Sequence, residues 1–191
     1  MGSPLDAVAW PVRTDRLRLR RAGPADVEAT WAYRRLPEVG RWLSAESPTL
    51  EDYRERVEEP GRLARSLVIE LAGAVIGDLM VRVEDAWAQA EVTEQARDVQ
   101  AELGWVLDPA HHGQGYATEA VRALLGLCFT GLGLRRVTAG CYAGNESSWR
   151  LMERVGMRRE THTVQEALHR SGEWVDALGY AMLAEEWHDR H

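Results

Sequence analysis

Two periods of apolar residue run along this chain, and they divide it into alternating strands and helices. Leu17 and Leu19 alternate with arginines over residues 16–21, which predicts a strand. Gly23-Pro24 ends it, and the proline suits the first position of a helix running to about Arg35, with Val27, Trp31 and Tyr33 on its apolar side. Thr49 with Asp52 three residues later predicts a capped second helix, closed by Pro60-Gly61. Residues 66–71 and 75–83 are β-rich runs joined by Ala72-Gly73-Ala74, a hairpin pattern. A further strand over 99–107 stops at Asp108-Pro109.

His112-Gly113-Gln114-Gly115 then leads straight into a helical pattern reaching about Phe129, where Val121, Leu124, Leu125 and Cys128 recur at helical spacing. Residues 136–141 predict a short strand. Residues 145–155 predict a helix with Asn145 as N-cap and Gly156 as its stop. Strands over 158–165 and 174–182 flank the turn Arg170-Ser171-Gly172. The order β-α-α-β-β-β-α-β-α-β-β predicts an α+β fold, a mixed sheet flanked by helices. Residues 1–11 read as a flexible leader and 12–191 as a single domain.

Composition narrows the chemistry. All 23 positive charges are arginine, with no lysine. That excludes a Walker-type P-loop and every Schiff-base mechanism, pyridoxal phosphate included. The net charge is −7 and no run of arginines exceeds two, so the basic face of a nucleic-acid binder is missing. Two cysteines, Cys128 and Cys141, are too few for a disulfide scaffold. The absence of a signal pattern and of a long apolar run predicts a cytoplasmic protein with no membrane partner. No H-E-x-x-H or C-x-x-C spacing occurs and His111-His112 point opposite ways on an extended chain, so no metal is expected. No G-x-S-x-G elbow occurs either.

The turn at 112–117 is the informative segment. Glycines let a ligand approach the backbone, and the helix that follows offers unpaired N–H groups at its positive end, which suits a pyrophosphate. A dinucleotide G-x-G-x-x-G needs a third glycine where Thr118 stands, and an acidic residue about 20 positions on, where none lies between Ala120 and Asn145.

Gly115 and Ala117 match the Q/R-x-x-G-x-G/A motif of the GNAT acetyltransferases, with His112 in the Gln/Arg place. The string from His112 through Gly113, Gln114, Gly115, Tyr116, Ala117, Thr118 and Glu119 to Ala120 resembles the branch that acetylates ribosomal-protein N-termini. So do Thr14-Asp15-Arg16-Leu17-Arg18-Leu19-Arg20, Asn145-Glu146-Ser147-Ser148, and Gly172-Glu173-Trp174-Val175-Asp176 with Tyr180-Ala181-Met182. The resemblance implies a splayed, mostly antiparallel sheet and acetyl-CoA as cosubstrate. It implies attack by a primary amine within a ternary complex.

By the same resemblance, residues 112–118 hold the pyrophosphate, backbone groups of Trp105, Val106 and Leu107 hold the pantetheine arm, and Gly104 marks a bulge. Asn145 binds that arm and Ser148 protonates the leaving sulfur, although as N-cap residues both also have a purely structural use. Glu102 is the expected base, with Glu166 or a water chain as rivals. Between Glu84 and Glu102 lie six acids against one arginine, which favours a cationic amine. The acceptor, a peptide N-terminus or a small molecule, stays open, as does association into a homodimer. The rival function is a non-catalytic acyl-CoA-binding or interaction module on the same fold.

Overall fold

The computed structural model describes residues 3–190. Its strands are β1 (Val12–Arg13), β2 (Leu17–Arg21), β3 (Ser66–Leu71), β4 (Ala74–Glu84), β5 (Gln100–Leu107), β6 (Arg136–Tyr142), β7 (Arg158–Leu168) and β8 (Trp174–Leu183). They form one sheet in the order β1-β2-β3-β4-β5-β6-β8-β7. The sheet is mostly antiparallel, and β5 and β6 form a parallel pair. The helices are α1 (Val27–Arg34), α2 (Pro37–Gly40), α3 (Leu50–Glu58), α4 (Pro60–Leu63), α5 (Tyr116–Gly126), α6 (Glu146–Arg154) and α7 (Ala184–His188). The predicted mixed sheet flanked by helices is what forms.

The chain separates into two compact units, Met1–Met80 with Trp105–Ala123, and Val81–Gly104 with Leu124–His191. In the first, β2 and β3 bury Leu17, Leu19, Leu67 and Ile69 on one face of the sheet and Val68 on the other. Alternation along β2 leaves arginines on its other face, where Arg20 reaches Asp26 at 2.7 Å and Glu70 at 2.7 Å. The predicted hairpin closes through Ala72 and Gly73, both at positive φ (50° and 88°). Thr49 caps α3 in a capping box with Asp52, as its spacing predicted. Arg34 of α1 clamps Asp78 of β4 at 2.5 Å, and the Tyr33 hydroxyl donates to the same carboxylate at 2.8 Å. Buried charge here is paired from both sides.

Part of the expected leader carries local structure. Pro4–Ala7 forms a 3-10 turn capped by Ser3, the Leu5 side chain is buried, and the Trp10 indole donates to the Leu5 carbonyl at 2.9 Å. One buried leucine anchors a segment whose composition looks loose.

In the second unit, β6 pairs with β8 from Arg136–Leu183 to Tyr142–Ala177, and β7 closes the edge. Helix α5 gives way to a π-turn at Leu127–Gly131, three residues before the predicted end. Helix α7 is held by a single apolar anchor, Trp187, which is buried against Phe129 at a ring separation of 6.0 Å. Gly156, at φ +93°, ends α6 as expected.

Candidate active site

In the first unit the site is built around the end of β5. A Cβ placed on Gly77 of β4 would lie 2.6 Å from the Val106 carbonyl oxygen, so β4 and β5 approach closely only because residue 77 has no side chain. Val106 therefore turns its backbone polar groups toward β4. Strand alternation turns those of Trp105 and Leu107 the other way. Of the three residues expected to offer amides to a ligand, Val106 is turned toward β4, and Trp105 and Leu107 are turned away from it.

Asp108 then fastens the chain. Its N–H donates to Ile76 at 2.9 Å and its carboxylate caps Ala110 at 2.9 Å, starting a 3-10 turn at Pro109–His111. The His112 ring donates from Nε2 to the Leu107 carbonyl at 3.0 Å. His112 thus ties the turn to the strand. Gly113 and Gly115 both have positive φ, +75° and +83°. The first intrahelical bond of α5 runs from Glu119 N–H to the Gly115 carbonyl at 3.0 Å, so the amides of Gly115, Tyr116 and Ala117 precede it and point out of the helix start.

The turn is braced by Arg16, from the segment leading into β2. Arg16 donates from Nε to Glu119 at 2.6 Å and from a terminal nitrogen to the Gln114 carbonyl at 2.9 Å. Thr14 donates its hydroxyl to Glu119 at 2.5 Å, and the Arg16 N–H adds a bond at 2.9 Å. The guanidinium carbon also lies 4.6 Å from the Tyr116 ring centroid. Burial alone would raise the Glu119 pKa. The hydrogen bonds from Thr14 and Arg16, with the Arg16 charge, outweigh it and hold the carboxyl below its usual range. Glu119 is an anion that locks the turn.

In the second unit, β5 and β6 are in register only at Gln100–Arg136, Ala101–Val137 and Glu102–Thr138. The pairing stops two residues before Gly104. Beyond it, β6 stays paired with β8 through Tyr142. Asn145 caps α6: its side-chain oxygen accepts from the Ser148 N–H at 3.4 Å and from the Ser147 hydroxyl at 3.0 Å. The Ala143 N–H donates to the Asp176 carbonyl at 2.9 Å, and the Trp149 indole donates to Ala143 at 3.2 Å. The loop before α6 is held from both ends.

Glu102 does not stand alone. It is ion-paired with Arg82 of β4, which also reaches Glu84 at 3.2 Å. A proton taken by Glu102 would break that pair. Glu166 lies exposed in the irregular stretch between Thr163 and Ala167, where Gln165 has φ +48° and donates its N–H to Asp176 at 3.0 Å. Burial pushes the Cys128 thiol up to about 12, which fits a core residue and not a nucleophile.

A family model described as an acetyltransferase (GNAT) domain matches residues 16–158. The chain belongs to the GNAT acetyltransferase family. YnaD of Bacillus subtilis (strain 168), an uncharacterized N-acetyltransferase, is 41% identical over 86 residues, which are 45% of this chain and 50% of YnaD; the chain therefore spans about half the length of that relative. YdaF of the same organism, named as a candidate ribosomal N-acetyltransferase, is 28% identical over 177 residues, 91% of this chain and 94% of YdaF. The crystal structure of a GNAT-family acetyltransferase from Bacillus anthracis matches with a TM-score of 0.78 at 30% identity, covering 92% of this chain and 99% of that one.

Within this GNAT chain, three participants escaped the sequence reading: the Arg16–Glu119 brace, Gly77 and Arg82. Thr14, Arg16 and Glu119 were all noticed as motif letters. Their meeting across about a hundred residues leaves no periodic trace.

Proposed function

We propose that the chain is an acetyl-CoA-dependent N-acetyltransferase that moves the acetyl group to a primary amine by direct attack in a ternary complex. The observation that carries the reading is the glycine turn. Gly113 and Gly115 at positive φ, with the amides of Gly115, Tyr116 and Ala117 among those ahead of the first helical bond, suit a pyrophosphate, and Arg16 and Glu119 hold that shape before any ligand arrives. Residues 112–118 would hold the pyrophosphate, and the amides of Trp105 and Leu107 would hold the pantetheine arm and polarise the acetyl carbonyl.

Asn145 and Ser148 complete the assignment. The Asn145 oxygen is occupied by capping, which leaves its amide N–H₂ for the arm. Ser148 donates the proton that the leaving sulfur needs. The amine must lose a proton first, and Glu102, Glu166 or a water chain takes it; the Arg82 pair weighs against Glu102 as a free base. A cationic acceptor is supported by the acidic stretch 84–102, although Arg82 offsets Glu84 and Glu102 and Arg97 pairs with Glu94 at 2.7 Å. The ribosomal-protein N-terminal branch is supported by the string 112–120 and by the name carried by YdaF.

Free-thiol release from acetyl-CoA, measured against N-terminal peptides, aminoglycosides and polyamines, tests the reading. Turnover with one of these, and a drop of roughly 10²-fold in Ser148→Ala with acetyl-CoA affinity kept, is expected. Tight acetyl-CoA binding with no transfer to any amine would instead identify a non-catalytic acyl-CoA-binding module.

A further inference from the structure

The Arg82 guanidinium bridges two carboxylates. Arg82 lies on β4 two residues before Glu84, so strand alternation puts both side chains on one face. From there it reaches Glu84 at 3.2 Å and Glu102 of the neighbouring strand β5. Among the described residues Arg82 is the single partner of Glu102. Other cations close by are taken. Arg136, opposite Gln100 in the β5–β6 register, is held by Glu160 at 3.1 Å, and Arg97 pairs with Glu94 at 2.7 Å. Gln100 donates its amide to the second Glu84 oxygen at 3.5 Å, which steadies that carboxylate. Glu102 is also the last β5 residue in register with β6, so it stands where the two strands begin to part. Arg82, Glu84 and Glu102 all stay partly exposed, and an ion pair open to water is worth little. The Arg82–Glu102 contact can therefore be exchanged, and Glu84 keeps the guanidinium when it lets go.

Resting on the reading of this chain as an amine acetyltransferase, we propose that Arg82 is a positioning residue for the acceptor. It is an exchangeable counter-ion that keeps Glu102 in place until the acceptor's ammonium group takes its seat. The exchange is one cation for another. The ammonium binds Glu102, Arg82 falls back on Glu84, and no charge is left unpaired. A neutral molecule of the same shape cannot displace the guanidinium, because it would leave Glu102 without a counter-charge. The arrangement therefore selects a protonated primary amine and seats its nitrogen where β5 and β6 part. Specificity here comes from the cost of binding the wrong molecule as much as from contacts to the right one.

The test measures initial rates with acetyl-CoA and two acceptors, spermidine and an N-terminal alanyl peptide. Arg82→Gln removes the competing cation, so the acceptor KM should fall roughly threefold while the acetyl-CoA KM stays unchanged. Glu84→Gln takes away the resting place of the guanidinium, and the acceptor KM should rise by a similar factor. In the double variant Arg82→Gln/Glu84→Gln the KM should match that of Arg82→Gln alone, since a resting place has no use without the arginine. This comparison separates exchange from a plain electrostatic field, in which losing Glu84 would weaken a cationic acceptor equally in both backgrounds. Equal effects of Glu84→Gln with and without Arg82 overturn the proposal and leave the acetyltransferase reading standing. An acceptor KM that does not move in Arg82→Gln does the same. No turnover of either acceptor, or of an aminoglycoside, by the wild-type protein removes that reading and the proposal with it.

Discussion

Arg16 and Glu119 are 103 residues apart in sequence and are joined by a charged hydrogen bond of 2.6 Å, which fastens the glycine turn to the segment leading into β2. The Gly115 Cα faces this pair closely enough that a Cβ there would lie 3.4 Å from the Arg16 guanidinium. Glu119→Gln keeps the shape and removes the charge. It should raise the acetyl-CoA dissociation constant roughly tenfold, about 1.4 kcal/mol, by calorimetry. Unchanged affinity would mean that the turn keeps its form without the brace.

Gly115→Val combines a left-handed φ of +83° with a β-branched side chain beside the open amides. Acetyl-CoA affinity should fall by at least an order of magnitude. His112→Ala loses only the ring's bond to Leu107 and should cost a few-fold. The reverse ranking would sink the backbone cradle.

Gly77→Ala tests the orientation of Trp105 and Leu107. The new methyl would meet the Val106 carbonyl at 2.6 Å, with Ile69 and Leu107 methyls at 3.1 Å, so β5 must shift. Overpacking of this kind costs about 1–3 kcal/mol. The variant should unfold at lower denaturant and bind acetyl-CoA more weakly than its residual fold explains. Retained affinity would show that the Trp105–Leu107 amides are not used.

Glu160 carries a pH dependence of stability. Hydrogen bonds from Arg136 and Arg158 outweigh its burial and push it down to about 2 from an ordinary 4.5. A lowered folded-state pKa adds stability that is present above about 4.5 and is lost as pH falls through about 2. Glu160→Gln should therefore melt about 2–4 °C below wild type at pH 7, and the gap should close between pH 4.5 and 2. A gap that is flat across that range would remove the ion-pair explanation.

Local rules decided most of the fold without help from the tertiary structure. The Thr49 capping box, the Ala72-Gly73 hairpin and the Asn145 cap each act within a few residues, so their outcomes follow from the letters themselves. The glycine turn at 112–115 was legible for the same reason, because positive φ is a property of glycine before it is a property of the fold. Other features needed the assembled chain. Leu5 and Trp187 look like tail residues until distant side chains bury them, and burial is not a local property. Gly77 looks like an ordinary strand glycine until Val106 arrives opposite it. Ion pairing is likewise set by distance in space: only folding could tell that Arg82 would claim Glu102 and that Arg16 would meet Glu119.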